Sequence, residues 1–189
     1  MPVREDHKKL IETAKRAAAA LRDAGVPFLL AGGLASWARG GPQTDHDVDF
    51  FVKPEEAEAA LQALARAGMR TEKPPEDWLY KAHDENGTLV DVIFRPSGGP
   101  VDDEYFEHAE EIEVGSVSML VASLEDVMTT KLLALSEQEP NYSSVLEIAR
   151  MLREQIDWDD VRERTGGSPF ARAFFTLVEE LEIVRRAVA

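Results

Sequence analysis

The most constraining feature of the sequence is a pair of aspartates in an otherwise apolar run, Asp47-Val48-Asp49-Phe50-Phe51-Val52. Side chains alternate between the two faces of a β-strand, so Asp47 and Asp49 share one face while Val48 and Phe50 point into a core. Two adjacent carboxylates repel, and ionising both is costly unless a cation lies between them. Oxygen ligands of this kind suit Mg²⁺ or Mn²⁺, which also bind substrate phosphates. The alternative is a solvated strand end with two surface aspartates.

A third aspartate, Asp91, lies in a second apolar run, Leu89-Val90-Asp91-Val92-Ile93-Phe94. Burying a lone carboxylate is costly, so we expect Asp91 to have a partner. If the two strands are neighbours, Asp91 joins Asp47 and Asp49. Three acids can hold two metal ions that stabilise the attacking and leaving oxygens of a phosphoryl displacement. Asp91 would be the third ligand or the base that accepts the proton of the attacking hydroxyl. The alternative is an edge-strand aspartate that faces solvent.

The pair Gly32-Gly33 lies between the apolar run Phe28–Ala31 and a short predicted helix. Glycines let the backbone approach a phosphate closely, and free N–H groups at a helix start favour anions. The alternative is a plain tight turn. Thr44 and Arg39 flank the acidic pair and would either contact phosphates or be solvated in the loop.

Lys131 lies on a predicted helix that begins after Ser123. It shares one helical stripe with the apolar residues Leu124, Val127, Met128 and Leu135, which places it on the inward face. A lysine there either serves the site or snorkels, with its stem buried and its ammonium in water.

The order of predicted elements indicates an α+β fold, with a small mixed twisted sheet flanked by helices and a helical C-terminal portion. Residues 1–135 would form the core and residues 136–189 a helical extension, with the seam in SEQEPN at 136–141. Helices are predicted at 4–24, 34–39, 54–67, 142–155, 157–164 and 168–187, and strands at 28–31, 48–52, 78–82, 88–94, 112–114 and 117–121. Asn86-Gly87 predicts a hairpin between the strands at 78–82 and 88–94.

Composition narrows the classes of function. The 189 residues include no cysteine, which excludes disulfides, thiolate catalysis and cysteine-ligated zinc. The sequence has no stretch of 18 or more apolar residues, and its first ten, MPVREDHKKL, include many charges and lack the apolar core of a signal peptide, so we expect no membrane span and a cytoplasmic protein. The net charge of −15 disfavours extended nucleic acids, which basic residues bind, although an RNA end remains open as a partner.

The segments FLLAGG, TDHDVDFFV and LVDVIF together resemble the DNA polymerase beta-type nucleotidyltransferase superfamily, over roughly residues 26–135. The signature is a Gly-Gly turn, an acidic-x-acidic strand and a third acidic strand. Within the superfamily the sequence is most similar to small bacterial enzymes, namely antibiotic nucleotidyltransferases and AbiEii-type nucleotidyltransferases of toxin–antitoxin systems. The stretch VASLEDVMTTKLLAL resembles the helix after the catalytic core of the latter.

The resemblance implies a metal-dependent enzyme that moves a nucleoside monophosphate from an NTP onto an acceptor, which is a small molecule, an RNA end or a protein. Asp47, Asp49 and Asp91 would ligate metal. Gly32 and Gly33 would hold the triphosphate, with Lys131 on its oxygens and Thr44 beside it. The alternatives are a non-catalytic nucleotide-binding or toxin–antitoxin module on the same fold. A phosphatase of the haloacid dehalogenase type is disfavoured, because Gly-Gly precedes the acidic pair and two phenylalanines follow it.

Overall fold

The computed structural model describes residues 4–185, which form eight α-helices and a seven-stranded mixed sheet. The helices are α1 Glu5–Asp23, α2 Gly32–Ala38, α3 Ala57–Arg66, α4 Asp103–Glu107, α5 Leu124–Leu133, α6 Ser143–Leu152, α7 Trp158–Thr165 and α8 Pro169–Glu180. The strands are β1 Leu29–Leu30, β2 Asp47–Phe51, β3 Arg70–Glu72, β4 Leu79–His83, β5 Leu89–Ile93, β6 Glu110–Val114 and β7 Val117–Val121. A 3₁₀ turn, Pro54–Glu56, precedes α3.

The sheet has the strand order β3-β4-β5-β2-β1-β7-β6. Strand β2 pairs parallel with β5, and β1 pairs parallel with β7, while the other neighbours are antiparallel. The register of β2 and β5 sets Asp49 opposite Asp91. The α+β architecture predicted from the sequence is therefore confirmed, and it brings the two acidic strands side by side at the centre of the sheet.

Apolar side chains on one face of β2 and β5 anchor the acidic strands. Val48, Phe50, Val90 and Val92 are completely buried, and Phe50 packs edge-on against Phe28 with ring centroids 5.2 Å apart. The long helix α1 contributes small buried side chains, mainly alanines, which allow it to pack closely against α3 and β2. Because side chains alternate along a strand, burial of this face leaves the carboxylates on the other.

The C-terminal helices pack on α5, which contacts α6, α7 and α8. Ser123 caps α5 by accepting a hydrogen bond from the Asp126 backbone N–H at 3.0 Å. The buried Asp126 carboxylate accepts a hydrogen bond from the Arg164 guanidinium of α7 at 2.6 Å. The division of the chain at residue 135 stays a prediction. No helix within residues 4–185 is long and apolar enough to span a membrane.

Several element boundaries differ from the sequence prediction. Strand β3 and helix α4 were not predicted, since a three-residue polar edge strand and a five-residue helix carry too little periodicity to be recognised. The predicted helix 168–187 ends instead at Glu180, and its last residues, 186 and 187, lie outside the described part of the chain. Gly32 and Gly33 form the first turn of α2 rather than a separate turn before it.

Candidate active site

Three aspartates converge on the polar face of the two central strands. Asp47 and Asp49 lie two residues apart in β2, and Asp91 stands opposite Asp49 in β5. One carboxylate oxygen from each of the three lies within 4.8 Å of the other two. Asp91 is 7% exposed, while Asp47 and Asp49 are half-buried. We call these three side chains the carboxylate cluster.

The carboxylates of the cluster repel one another and are partly removed from water, so their ionised forms are costly without a nearby cation. Desolvation, followed by the negative charge of Asp47, raises the pKa of Asp49 to about 7, although Lys131 opposes this rise. Burial likewise raises the pKa of Asp91, against the opposing effect of Lys81. Oxygen ligands crowded together at this electrostatic cost are the donor set that a hard divalent cation stabilises. The residues therefore fit a magnesium or manganese ion.

Gly32 is required next to this cluster for a steric reason. Its φ of +58° is in the left-handed region, and a Cβ placed there would lie 1.7 Å from Asp49 Oδ2. The following glycine, Gly33, is similarly close to the loop, since a Cβ on it would lie 2.9 Å from Thr44 Oγ1. The two glycines thus let α2 begin directly against a cluster carboxylate and against Thr44.

The loop before β2 is held in place by the start of α1. The imidazole Nδ1 of the buried His7 lies 2.7 Å from the Thr44 carbonyl oxygen, and the His7 ring meets Trp37 edge-on at 4.5 Å. The Arg4 backbone N–H donates to the Gln43 side chain at 3.0 Å, and its guanidinium pairs with Asp45 at 3.2 Å. These contacts fix Thr44 beside Gly33.

A cavity of about 280 Å³ opens between this loop and the helices α5 and α6. The half-buried Lys131 lines it, and no carboxylate in residues 4–185 lies within ion-pair distance of its ammonium. Four residues predicted to bind phosphate or metal line this cavity, namely Gly33, Thr44, Asp47 and Lys131. The other lining residues are Arg4, Ser36, Pro42, Gln43, Asp45, His46, Ser144, Glu147 and Ile148. The cavity therefore leads from the carboxylate cluster to a cation without a fixed partner.

A family model described as "Uncharacterised nucleotidyltransferase" matches residues 3–179, nearly the whole chain. The chain belongs to this nucleotidyltransferase family. The resemblance drawn from the acidic strands and the glycine pair is thereby confirmed at the level of the family. A comparison with curated proteins finds no significant match.

Solved structures of nucleotidyltransferases share the fold of this chain. ANT(2″)-Ia, in complex with adenylyl-2″-tobramycin, aligns with a TM-score of 0.64 and 15% identity over 87% of this chain and 98% of that one. The lincomycin-bound lincosamide antibiotic adenylyltransferase LnuA gives a TM-score of 0.50 and 15% identity over 87% and 100%. An antigenic nucleotidyltransferase-like protein from Paracoccidioides brasiliensis gives 0.52 and 12% over 97% and 94%. At these identities the likeness shows the fold alone.

One flanking residue of this nucleotidyltransferase does not belong to the site. Arg39, a candidate phosphate contact in the sequence, is only 12% exposed and donates to the carbonyls of Val121 at 3.2 Å and Ala122 at 3.3 Å. Its guanidinium also pairs with Glu110 at 2.6 Å. Arg39 therefore ties the end of α2 to the β6–β7 hairpin, because a buried guanidinium is stable only when its donors are satisfied.

Sequence reasoning missed two residues of the site. His7 lies outside the motifs of the sequence, and nothing in its spacing connects it with a loop 37 residues away. Lys81 lies in the predicted strand 78–82 without a motif around it, yet its ammonium donates to Asp91 Oδ1 at 3.2 Å. A signal for Lys81 existed in the hairpin around Asn86-Gly87, but the register of that hairpin was needed to use it.

Proposed function

We propose that this nucleotidyltransferase is metal-dependent and moves a nucleoside monophosphate from an NTP onto an acceptor hydroxyl. Asp47, Asp49 and Asp91 hold the Mg²⁺ or Mn²⁺ in this proposal. The observation that carries it is the convergence of three carboxylates, with one oxygen of each within 4.8 Å of the others, on the polar face of the central strands. A binding scaffold without catalysis would have no need to crowd three acids at this electrostatic cost.

In the proposed reaction the acceptor oxygen attacks the α-phosphorus of the NTP. The bond to that phosphorus forms as the bond from the α-phosphorus to the bridging oxygen of the β-phosphate breaks, and pyrophosphate leaves. A bound divalent ion supplies charge stabilisation to the attacking and leaving oxygens. Asp91 offers the oxygen that Lys81 does not occupy, either as a ligand or as the acceptor of the hydroxyl proton.

In this proposal the triphosphate binds in the cavity beside the carboxylate cluster. Lys131 has no ion-pair partner within residues 4–185, so its ammonium is available to phosphate oxygens. Gly33 and Thr44 line the same cavity, so in this proposal the Gly33 backbone and the Thr44 hydroxyl, held by His7, contact the phosphates, while Gly32 leaves room for Asp49. The chain has a net charge of −15, so its overall charge does not attract a triphosphate. Backbone N–H groups and a lysine inside the cavity would provide that attraction locally.

A small molecule is the acceptor class that we favour. The net charge of −15 repels extended polyanions and attracts cationic molecules. Two proteins with this fold were solved with small molecules bound, namely ANT(2″)-Ia with adenylyl-2″-tobramycin and LnuA with lincomycin. The other acceptors to be tested are an RNA end and a protein side chain. Transfer to a protein would be consistent with a role in a toxin–antitoxin pair.

The test incubates the protein with Mg²⁺ and each of the four NTPs labelled at the α-phosphate. Panels of hydroxylated amino compounds, short RNAs and proteins serve as acceptors, and the read-out is covalent transfer of label. We expect transfer to be lost in Asp47→Ala and kept in Asp23→Ala, which removes the same charge from the exposed end of α1. Transfer at the wild-type rate by Asp47→Ala would reject the site. A thermal shift with saturating Mg²⁺ and NTP but no transfer to any acceptor would favour a non-catalytic nucleotide-binding module, and absence of any shift would favour a module that does not bind nucleotide.

A further inference from the structure

A row of charged side chains crosses the sheet at the carboxylate cluster. The register places Lys81 of β4 directly opposite Asp91 of β5, and Asp91 directly opposite Asp49 of β2. Beyond Lys81, the same row reaches Glu72 of the edge strand β3. Neighbouring strands lie about 4.8 Å apart, so each charge in the row acts strongly on the next.

Lys81 is directed at the cluster and not at the surrounding water. Its ammonium donates to Asp91 Oδ1 at 3.2 Å, and its side chain is 30% exposed while that of Asp91 is 10% exposed. Lysine has a long flexible stem and is strongly hydrated, so a lysine near a surface normally extends into solvent. The bond to Asp91 outweighs this tendency because Asp91 is the most buried carboxylate of the cluster and needs a cation.

We propose that Lys81 is a positioning residue that fixes Asp91 and serves as a built-in counter-charge to the metal site. This inference rests on the metal site of the proposed function. The ammonium of Lys81 offsets only part of the negative charge of the three carboxylates, so the cluster still attracts a divalent ion. Lys81 therefore weakens the binding of divalent ions to the nucleotide-free site, and in this proposal a second ion binds only together with the negative charge of the triphosphate.

Lys81 also restricts the geometry of Asp91. With Oδ1 bonded to the ammonium, the Asp91 carboxylate has fewer free lone pairs for a metal ion and is held in one orientation. Lys81 thus selects one orientation of Asp91 for the reaction, through a bond that exists before metal or nucleotide arrives.

The test titrates Mn²⁺ alone, without nucleotide, into the full chain and follows binding by electron paramagnetic resonance and calorimetry. Lys81→Met keeps the length of the side chain and removes its charge, and Lys81→Arg keeps the charge. Lys73→Met is the matched control, because Lys73 pairs with Glu58 and lies over the ring of Tyr80, whose side chain is on the opposite face from Lys81. Circular dichroism and thermal unfolding report whether each variant folds.

We expect Lys81→Met to bind the first Mn²⁺ about tenfold or more tightly than the wild type, and to gain a second measurable ion, because a nearby positive charge has been removed. Lys81→Arg and Lys73→Met should retain wild-type affinity and a single ion. Unchanged or weaker binding by Lys81→Met would overturn the proposal, since mere structural damage weakens a site. The proposal would also be overturned if Lys81→Arg bound Mn²⁺ with the same affinity and number of ions as Lys81→Met. If the wild type binds no Mn²⁺ at all, the metal site itself, and with it the proposed function, is wrong.

Discussion

Replacing Gly32 with alanine tests whether the start of α2 and the carboxylate cluster fit together as the structure shows. An alanine Cβ at this position would lie 1.7 Å from Asp49 Oδ2 and 2.7 Å from Asp49 Cγ. The carboxylate would have to move by about 1.5 Å or more to reach van der Waals distance. Asp49 lies in a central strand paired on both sides, so its backbone is fixed and its side chain must leave the cluster.

The change has a backbone component that must be separated from the steric one. An alanine in the left-handed region costs about 1–2 kcal/mol, of which about 0.4–1 kcal/mol is offset because alanine stiffens the unfolded chain. Gly25 and Gly68 provide the control, since they have φ values of +72° and +86° and nothing lies within 4 Å of an added Cβ. Gly25→Ala and Gly68→Ala therefore measure the backbone cost of about 1 kcal/mol alone.

The assays are urea unfolding, Mn²⁺ titration and transfer of α-labelled nucleotide to an acceptor. We expect Gly32→Ala to bind Mn²⁺ at least about tenfold more weakly, because a ligand is displaced. Transfer should fall by about 100-fold, because a misplacement of about 1 Å is sufficient for that loss. The two control variants should lose stability but keep both functions. Wild-type Mn²⁺ affinity in Gly32→Ala, or an equal loss in Gly25→Ala, would refute the reasoning.

Three further predictions concern the supports of the site. Because the pKa of Asp49 is raised to about 7, the metal-free folded state holds this proton more tightly than the unfolded chain, and stability falls as the pH rises from about 4 to 7. Asp49→Asn should therefore stabilise the metal-free protein at pH 8 by about 1–3 kcal/mol in urea unfolding, and have little effect at pH 4. Asp84→Ala should destabilise by about 2–4 kcal/mol, since the buried Asp84 carboxylate accepts from Thr13, Arg16 and two backbone N–H groups. Desolvation raises the pKa of Asp84, but these hydrogen bonds outweigh it and lower the pKa below its ordinary value. The stability that the Asp84 carboxylate contributes is therefore present above about pH 4 and is lost on acidification. The Asp84→Ala variant should not show this loss. His7→Leu should cost about 1–2 kcal/mol and reduce the thermal shift caused by Mg²⁺ and NTP, because the Thr44 carbonyl loses its partner.

The sequence by itself determined which side chains of the acidic strands share a face. Asp47 and Asp49 had to share a face opposite Val48 and Phe50, because a two-residue repeat permits nothing else. The buried setting of Asp91 required a partner, and the glycine pair required a close approach of the backbone. These are local or pairwise constraints, and they predicted the family and the three carboxylates that the structure brings together.

Only the tertiary structure decided which basic side chain stands beside Asp91. A two-residue loop at Asn86-Gly87 would have placed Ala82 opposite Asp91, and a shift of one residue turns every side chain of the strand to the other face. The observed loop has three residues, because the Asp84 N–H donates to the Thr88 carbonyl at 3.1 Å and its carboxylate binds the turn.

Asp84 is in turn bonded to Thr13 and Arg16 of α1, more than 60 residues earlier in the chain. The same helix holds the Thr44 loop through His7. Local sequence fixes the repeat of a strand but not its register against a neighbour, which depends on contacts between segments far apart in the chain. For that reason the acids were readable from the sequence, whereas Lys81 and the support of Thr44 were not.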